Sequence, residues 1–342
     1  MKTGILLINL GTPDSPSTGD VRKYLREFLS DPEVIDINPV GRWLLVNLII
    51  APFRAPKSAK LYSEIWTKEG SPLLLYGIEL KNKVQQALGE SFVVELGMRY
   101  QSPSLESAFQ KLIASGVDRI VALPLYPQYA SSTTGSTITA INETCAKLKW
   151  DKAKLHIIDR FHHLESYKQA LIKTAANYSY SDYDHVIFSF HGVPQRHITK
   201  TDHKLGSGQC KFDSCCETIH EGNKYCYRAN CVVTANDLAA ALGIPKEKYT
   251  ISFQSRLGRD PWVQPYSDQT IIELGKSGKK KLLVFSPAFV ADCLETIHEI
   301  GVEYDELFHE HGGEKVTLVP SLNAETYWVD AVVEILKTAT KD

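Results

Sequence analysis

The chain has 342 residues, enough for about two domains. Its 38 basic and 40 acidic residues leave a net charge of −2, which gives none of the basic bias that nucleic-acid binding needs. The 43% hydrophobic content is that of a globular protein with a real core, and no uncharged apolar run is long enough to cross a bilayer.

Strand and helix signals alternate along the whole chain. Residues 4–10 read as a strand running into the turn Gly11-Thr12-Pro13, and 20–29 as a helix with Ser17 or Thr18 as its cap. The N-terminal run lacks a small-residue cleavage site, so the expected location is the cytoplasm. Residues 40–53 are too short and interrupted to span a membrane and too apolar for a surface loop. Length favours a buried helix there; the other reading is a hydrophobic lip that touches membrane or an apolar ligand. Strands follow at 92–97, 119–125 and 155–159, with helices at 104–115, 136–149 and 165–177.

The second half opens with the apolar strand 185–191, ending at His191-Gly192 with Pro194 expected to stop further pairing. An irregular polar segment at 194–230 precedes a helix at 232–242. Strands at 250–254, 281–285 and 315–320 alternate with helices at 268–276, 292–311 and 324–337. The fold class is therefore α/β, with two Rossmann-like, doubly wound parallel-sheet domains. The expected division is 1–165, 166–322 with a Cys-rich insert at 205–231, and a C-terminal helix at 323–342 of the kind that packs back on a first domain.

Ligands bind beyond the carboxyl ends of strands in such sheets, which is where His191 falls. Position alone leaves a structural histidine equally open. Glu295, Glu299 and Glu303 are spaced by four and would line one helical face at the same edge. Spacing alone favours a solvated surface; beside an imidazole, the same file suits a divalent cation and proton transfer. Ser131–Ser136 suits either an anion or a plain hydroxyl-rich cap. No dinucleotide fingerprint, P-loop or nucleophile elbow is present.

These residues together resemble the ferrochelatases over almost the whole chain. The motifs that carry the resemblance are Leu7-Ile-Asn-Leu-Gly-Thr-Pro13, Tyr62 with Gly70-Ser-Pro72, Gly97-Met-Arg-Tyr100, Tyr126-Pro-Gln-Tyr-Ala-Ser-Ser-Thr-Thr-Gly-Ser136, Ser189-Phe-His-Gly192, Pro261-Trp262 and Asp292-x-x-Glu295. The resemblance implies a porphyrin cleft and insertion of Fe²⁺ into protoporphyrin IX to give protohaem, with release of two protons. It implies His191 and Glu295 as the catalytic pair, with Glu299, Glu303 and Asp292 joining them toward the substrate metal. It implies Leu10, Tyr62, Arg99, Tyr100 and Trp262 as porphyrin-binding positions. The lip at 43–53 would then make peripheral contact with the inner membrane. Alternatives are a coproporphyrin ferrochelatase, or a non-catalytic haem- or metal-binding or Fe–S sensor protein on the same fold. One departure is Cys293, where some members carry histidine.

Cys210, Cys215, Cys216, Cys226 and Cys231 crowd the polar insert, which has too few apolar residues to make its own core. In a reducing compartment such a group suggests metal more than disulfides. Spacing leaves zinc and a [2Fe–2S] cluster equally open. The resemblance implies the cluster, held by four of the five.

Overall fold

The computed structural model describes residues 2–212, 214–258 and 260–340. The chain divides into two compact units. The first comprises residues up to Tyr126, Ser131–Phe161 and Asn323 onward; the second comprises Pro127–Ala130 and His162–Leu322. Each is built on a four-stranded parallel sheet flanked by helices.

In the first unit the strands are β1 (Thr3–Asn9), β2 (Phe92–Met98), β3 (Arg119–Pro124) and β4 (Leu155–Ile157), ordered β2-β1-β3-β4. Every residue of β1 is buried, as expected of an unalternating apolar strand covered on both faces. Leu6, Ile8, Ile120 and Ala122 pack against Phe109, Leu112 and Ile141 from the helices on one face. The C-terminal helix Thr326–Ala339 packs in this unit against the helix Pro72–Leu88, and Lys83 donates to the Ala324 carbonyl (2.8 Å). The helices Ala51–Ile65 and Pro72–Leu88 had no sequence expectation.

The second unit has β5 (His185–His191), β6 (Tyr249–Gln254), β7 (Lys281–Phe285) and β8 (Lys315–Leu318), ordered β6-β5-β7-β8. The side chains of β5 alternate. Val186, Phe188 and Phe190 enter one core, and Ile187 enters the other with Leu282, Val284 and Phe308.

Several elements differ from expectation. The run at 40–53 is not a buried helix. It forms the helix Pro39–Leu44, a π-helical turn Leu45–Ile50 and the start of Ala51–Ile65. Only Val46 and Ala51 are buried, while Val40, Trp43, Leu48, Ile49 and Phe53 are exposed, Phe53 by 73%. The core accepts one narrow stripe of this segment and leaves the rest outside. Residues 194–230 are not wholly irregular, because Gln195–Leu205 is a helix. Pro194 does not end pairing; it forms an antiparallel bridge with Trp262. The expected long helix at 292–311 is π-helical over Glu295–Glu303 and α-helical only over Tyr304–Glu310.

Candidate active site

In the second unit, β5 and β6 run side by side to the pair His191 and Gln254. Gly192 continues the contact by donating to the Gln254 carbonyl (2.8 Å). A Cβ on Gly192 would lie 2.8 Å from that oxygen and 3.1 Å from the Trp262 ring, so only glycine fits. Beyond it, His191 is half-buried with its Nδ1 2.6 Å from the Gly192 carbonyl oxygen. A carbonyl only accepts, so Nδ1 carries the proton and Nε2 keeps its lone pair. The imidazole is thereby oriented as a base at Nε2. Its ring lies 6.3 Å from that of Phe289.

The π-helical turn carries the carboxylates. Its i→i+5 bonding uses more residues per turn than the 3.6 of an α-helix, so side chains four apart fall closer to one line. Yet the acids are separately engaged. Glu299 accepts from Ser255 N (3.0 Å), the Ser255 hydroxyl, Gln254 Nε2 (3.2 Å) and the Tyr304 hydroxyl (3.1 Å). Burial raises its pKa, while the Ser255 hydrogen bond and, once it has taken a proton, His191 oppose the rise. Exposed Glu303 pairs with the buried His298 (3.3 Å). Asp292 accepts from Thr296 (3.0 Å) and Ser321 N (3.2 Å). Glu295 interacts with the thiol of Cys293, whose pKa burial pushes well up. Among the described residues, no three His, Cys, Asp or Glu side chains are grouped to hold a metal ion. The expected file of acids is therefore no preformed cation cage.

Gln254 and Ser255 were not anticipated from sequence. Gln254 is buried and donates to the Glu295 carbonyl (3.0 Å) as well as to Glu299, while accepting from Ser189 (2.7 Å). Ser255 sits at φ 65° to deliver two donors to one carboxylate. The available signal was the position of both residues at the carboxyl end of a strand. Trp262 is half-buried and donates to the Leu257 carbonyl (2.9 Å).

The motifs of the first unit that carry the family resemblance meet at the carboxyl edge of its own sheet. Arg99 N donates to the Asn9 carbonyl (2.8 Å) and Tyr100 N to that of Leu10 (2.9 Å). Gly11 has φ 111°, and a Cβ there would collide with the Tyr100 carbonyl. Thr12 donates to Ser71 (2.8 Å). Asp31, a residue the sequence did not single out, accepts at Oδ2 from Arg99 (2.5 Å), Tyr100 (2.8 Å) and Ser136 (2.6 Å). Arg99, Tyr100 and Ser136 line a cavity of about 670 Å³ within this unit. Tyr62 is buried, edge-on to Tyr24 and Trp66, and Leu10 is half-buried.

The model of the ferrochelatase family matches residues 2–340. The chain belongs to the ferrochelatase family. Ferrochelatase of Coxiella burnetii (strain Dugway 5J108-111) is 46% identical over 340 residues, covering 98% of this chain and 93% of that one. Ferrochelatase of Pseudomonas fluorescens (strain Pf0-1) is 44% identical, covering 98% and 97%, and that of Legionella pneumophila (strain Lens) 42%, covering 98% and 99%. Among solved structures, SirB from Bacillus subtilis with Fe³⁺ aligns with a TM-score of 0.53 over 99% of this chain and 96% of that one. At 12% identity this likeness speaks for the fold alone. In this ferrochelatase-family chain the expected α/β architecture of two parallel-sheet units is the one observed.

The five clustered cysteines form no disulfide and come together in the second unit. Cys215 and Cys216 Sγ lie 3.8 Å apart. A hydrogen bond from Cys226, with help from Arg228, holds the Cys216 thiol below its ordinary pKa. The insert does have a core, contrary to expectation. Cys216, Cys226, Tyr227 and Cys231 are buried with Phe190 and Phe253, the thiols packing as small apolar groups. The donor type suits a sulfur-ligated cluster. Among the described residues no three ligands are grouped to hold a metal, for zinc and for a cluster alike.

Proposed function

We propose that the protein inserts Fe²⁺ into protoporphyrin IX, releasing two protons, as the step that forms protohaem. Fe²⁺ is a substrate. Family membership supports the reaction, and the observation that carries the mechanism is His191 Nδ1 fixed on the Gly192 carbonyl. With Nε2 left basic, His191 takes one pyrrole proton. Glu295 is the partner carboxylate for the second proton or for guiding the metal. Glu299, held by Gln254, Ser255 and Tyr304, gives up a proton less readily than a free carboxylate and suits proton exit better than cation capture. Glu303 and Asp292 belong to the outer part of that route.

Leu10, Tyr62, Arg99, Tyr100 and Trp262 are the proposed porphyrin-binding positions. Tyr62 and Tyr100 are buried, so they act by holding the wall, whereas Arg99 and Trp262 have exposed surface to offer. The exposed lip around Trp43, Leu48, Ile49 and Phe53 supports peripheral membrane contact and capture of an apolar porphyrin. Steady-state insertion assays with protoporphyrin and coproporphyrin test the reading. Turnover with protoporphyrin supports it, a clear preference for coproporphyrin moves the substrate assignment, and a change that stops at one porphyrin per chain defeats the enzyme.

Four of the five cysteines are the proposed ligands of a [2Fe–2S] cluster, which would supply a redox-sensitive structural centre. Five cysteines without disulfides converging on one core, one of them held below its ordinary pKa, support it. The expected protein is red-brown, with iron and acid-labile sulfide at about two each per chain. Colourless, fully active protein without sulfide defeats the cluster and leaves the chelatase reading intact.

A further inference from the structure

Beneath the pair His191 and Gln254 lies a file of buried hydroxyls. Ser189 on β5 and Ser252 on β6 are register partners two residues before that pair, and Ser267 opens the helix Ser267–Lys276. All three are at most 1% exposed. Ser252 Oγ lies 2.8 Å from Ser267 Oγ, which lies 3.0 Å from Ser189 Oγ, and Ser189 donates to Gln254 Oε1 (2.7 Å). Each hydroxyl has one proton, which fixes the direction of the chain. The Glu295 carbonyl only accepts, so the Gln254 nitrogen faces it and the Gln254 oxygen faces Ser189. Ser189 gives its proton to that oxygen. Ser267 therefore donates to Ser189, and Ser252 to Ser267. The file points one way, and each hydrogen bond in it polarises the next.

We propose that Gln254 is a positioning residue that fixes Glu295 relative to His191, with the serine file holding its amide in the working orientation. Gln254 grips both sides of the site. Its main-chain carbonyl accepts from the N–H of Gly192, the residue after His191 (2.8 Å). Its side-chain nitrogen donates to the Glu295 carbonyl (3.0 Å), at the first residue of the π-helical turn. On the other flank the Thr296 hydroxyl accepts from Cys293 N (3.0 Å) and donates to Asp292 (3.0 Å). The Glu295 side chain thus leaves a backbone held on both flanks, and one hold comes from the strand beside His191. An amide turned end for end would set oxygen against the Glu295 carbonyl oxygen and lose that hold. Ser189 resists the turn while its proton is aimed at Oε1.

This positioning rests on Glu295 as the partner carboxylate, so the test is a double-mutant cycle on the full chain. Steady-state insertion rates and Tm are measured for Gln254→Met, Ser189→Ala and Glu295→Gln, and for each of the first two combined with Glu295→Gln. Gln254→Met keeps the length of the side chain and loses both polar ends. It is expected to lower kcat about tenfold, the equivalent of one hydrogen bond, with porphyrin KM nearly unchanged. Ser189→Ala leaves the amide without its guide and should lower kcat about threefold. In the Glu295→Gln background neither change should lower kcat further, because the group they position no longer reacts. General damage to the fold would instead multiply with Glu295→Gln. Multiplicative double variants overturn the proposal, as does an unchanged kcat in Gln254→Met or a loss carried by KM. Should Gln254→Met fail to fold, the Ser189→Ala cycle decides by the same criteria. Normal turnover in Glu295→Gln by itself overturns the reading of that carboxylate and the proposal together. An impaired Glu295→Gln with multiplicative double variants overturns the proposal alone.

Discussion

Ser255 turns into the left-handed region to give both its backbone N–H and its hydroxyl to the Glu299 carboxylate. A non-glycine residue there costs about 1–3 kcal/mol, which two charge-assisted hydrogen bonds offset. Removing the hydroxyl removes an interaction that favours the ionised carboxylate, so Ser255→Ala should raise the Glu299 pKa further. The acid limb of the kcat profile should move to higher pH. Ser255→Gly loses the same hydroxyl and relieves the backbone, so it should shift the limb equally while melting no lower than Ser255→Ala. An unmoved limb in both variants would detach Glu299 from turnover.

The catalytic pair makes a sharper demand. His191→Ala should lower metal insertion by roughly 10²–10⁴-fold with the fold intact. Glu295→Gln should lower kcat more than it raises porphyrin KM, because a group acting on proton transfer works on the chemical step. Glu299→Gln and Glu303→Gln should be milder. Initial rates of zinc-porphyrin formation measure all four; losses at Glu303 equal to those at Glu295 would reverse the order of the acids.

Lip residues and their buried neighbour should separate in behaviour. Trp43, Leu48 and Ile49 are exposed, so replacing all three by Ser should weaken partition to lipid vesicles at nearly unchanged Tm. Val46 is fully buried, and Val46→Ser should lower stability by about 2 kcal/mol in urea unfolding. Unchanged vesicle partition in the triple variant would remove the membrane role.

His185 begins β5, buried beside Thr250 (2.9 Å). Burial depresses its pKa from 6.5 to about 4, with Lys279 and Lys248 adding to the effect. Between those values the unfolded chain binds a proton that the folded one refuses, so stability rises with pH. This contribution is complete above about pH 6.5 and is lost as pH falls toward 4. Urea midpoints measured from pH 7.5 to 4 should fall across that window, and His185→Gln should flatten the part of the fall that His185 causes. An identical slope in the variant would assign the pH dependence elsewhere.

Sequence alone determined the parallel α/β class and the location of His191 at a strand's carboxyl end, because strand burial is a local pattern that any folded context must respect. The ferrochelatase motifs were legible for the same reason, being short and contiguous. Only the tertiary structure decided which face the apolar run at 40–53 presents, since 14 apolar-rich residues suit a buried helix as well as a lip until the core shows how much of them it accepts. It alone decided that Glu299 is held by Ser255, Gln254 and Tyr304, that Asp31 gathers Arg99, Tyr100 and Ser136, and that Gln254 reaches from Ser189 to Glu295. Each of those contacts joins residues from different elements, and hydrogen-bond distances between distant segments are fixed by how the sheets and helices pack, which leaves no periodic trace along the chain.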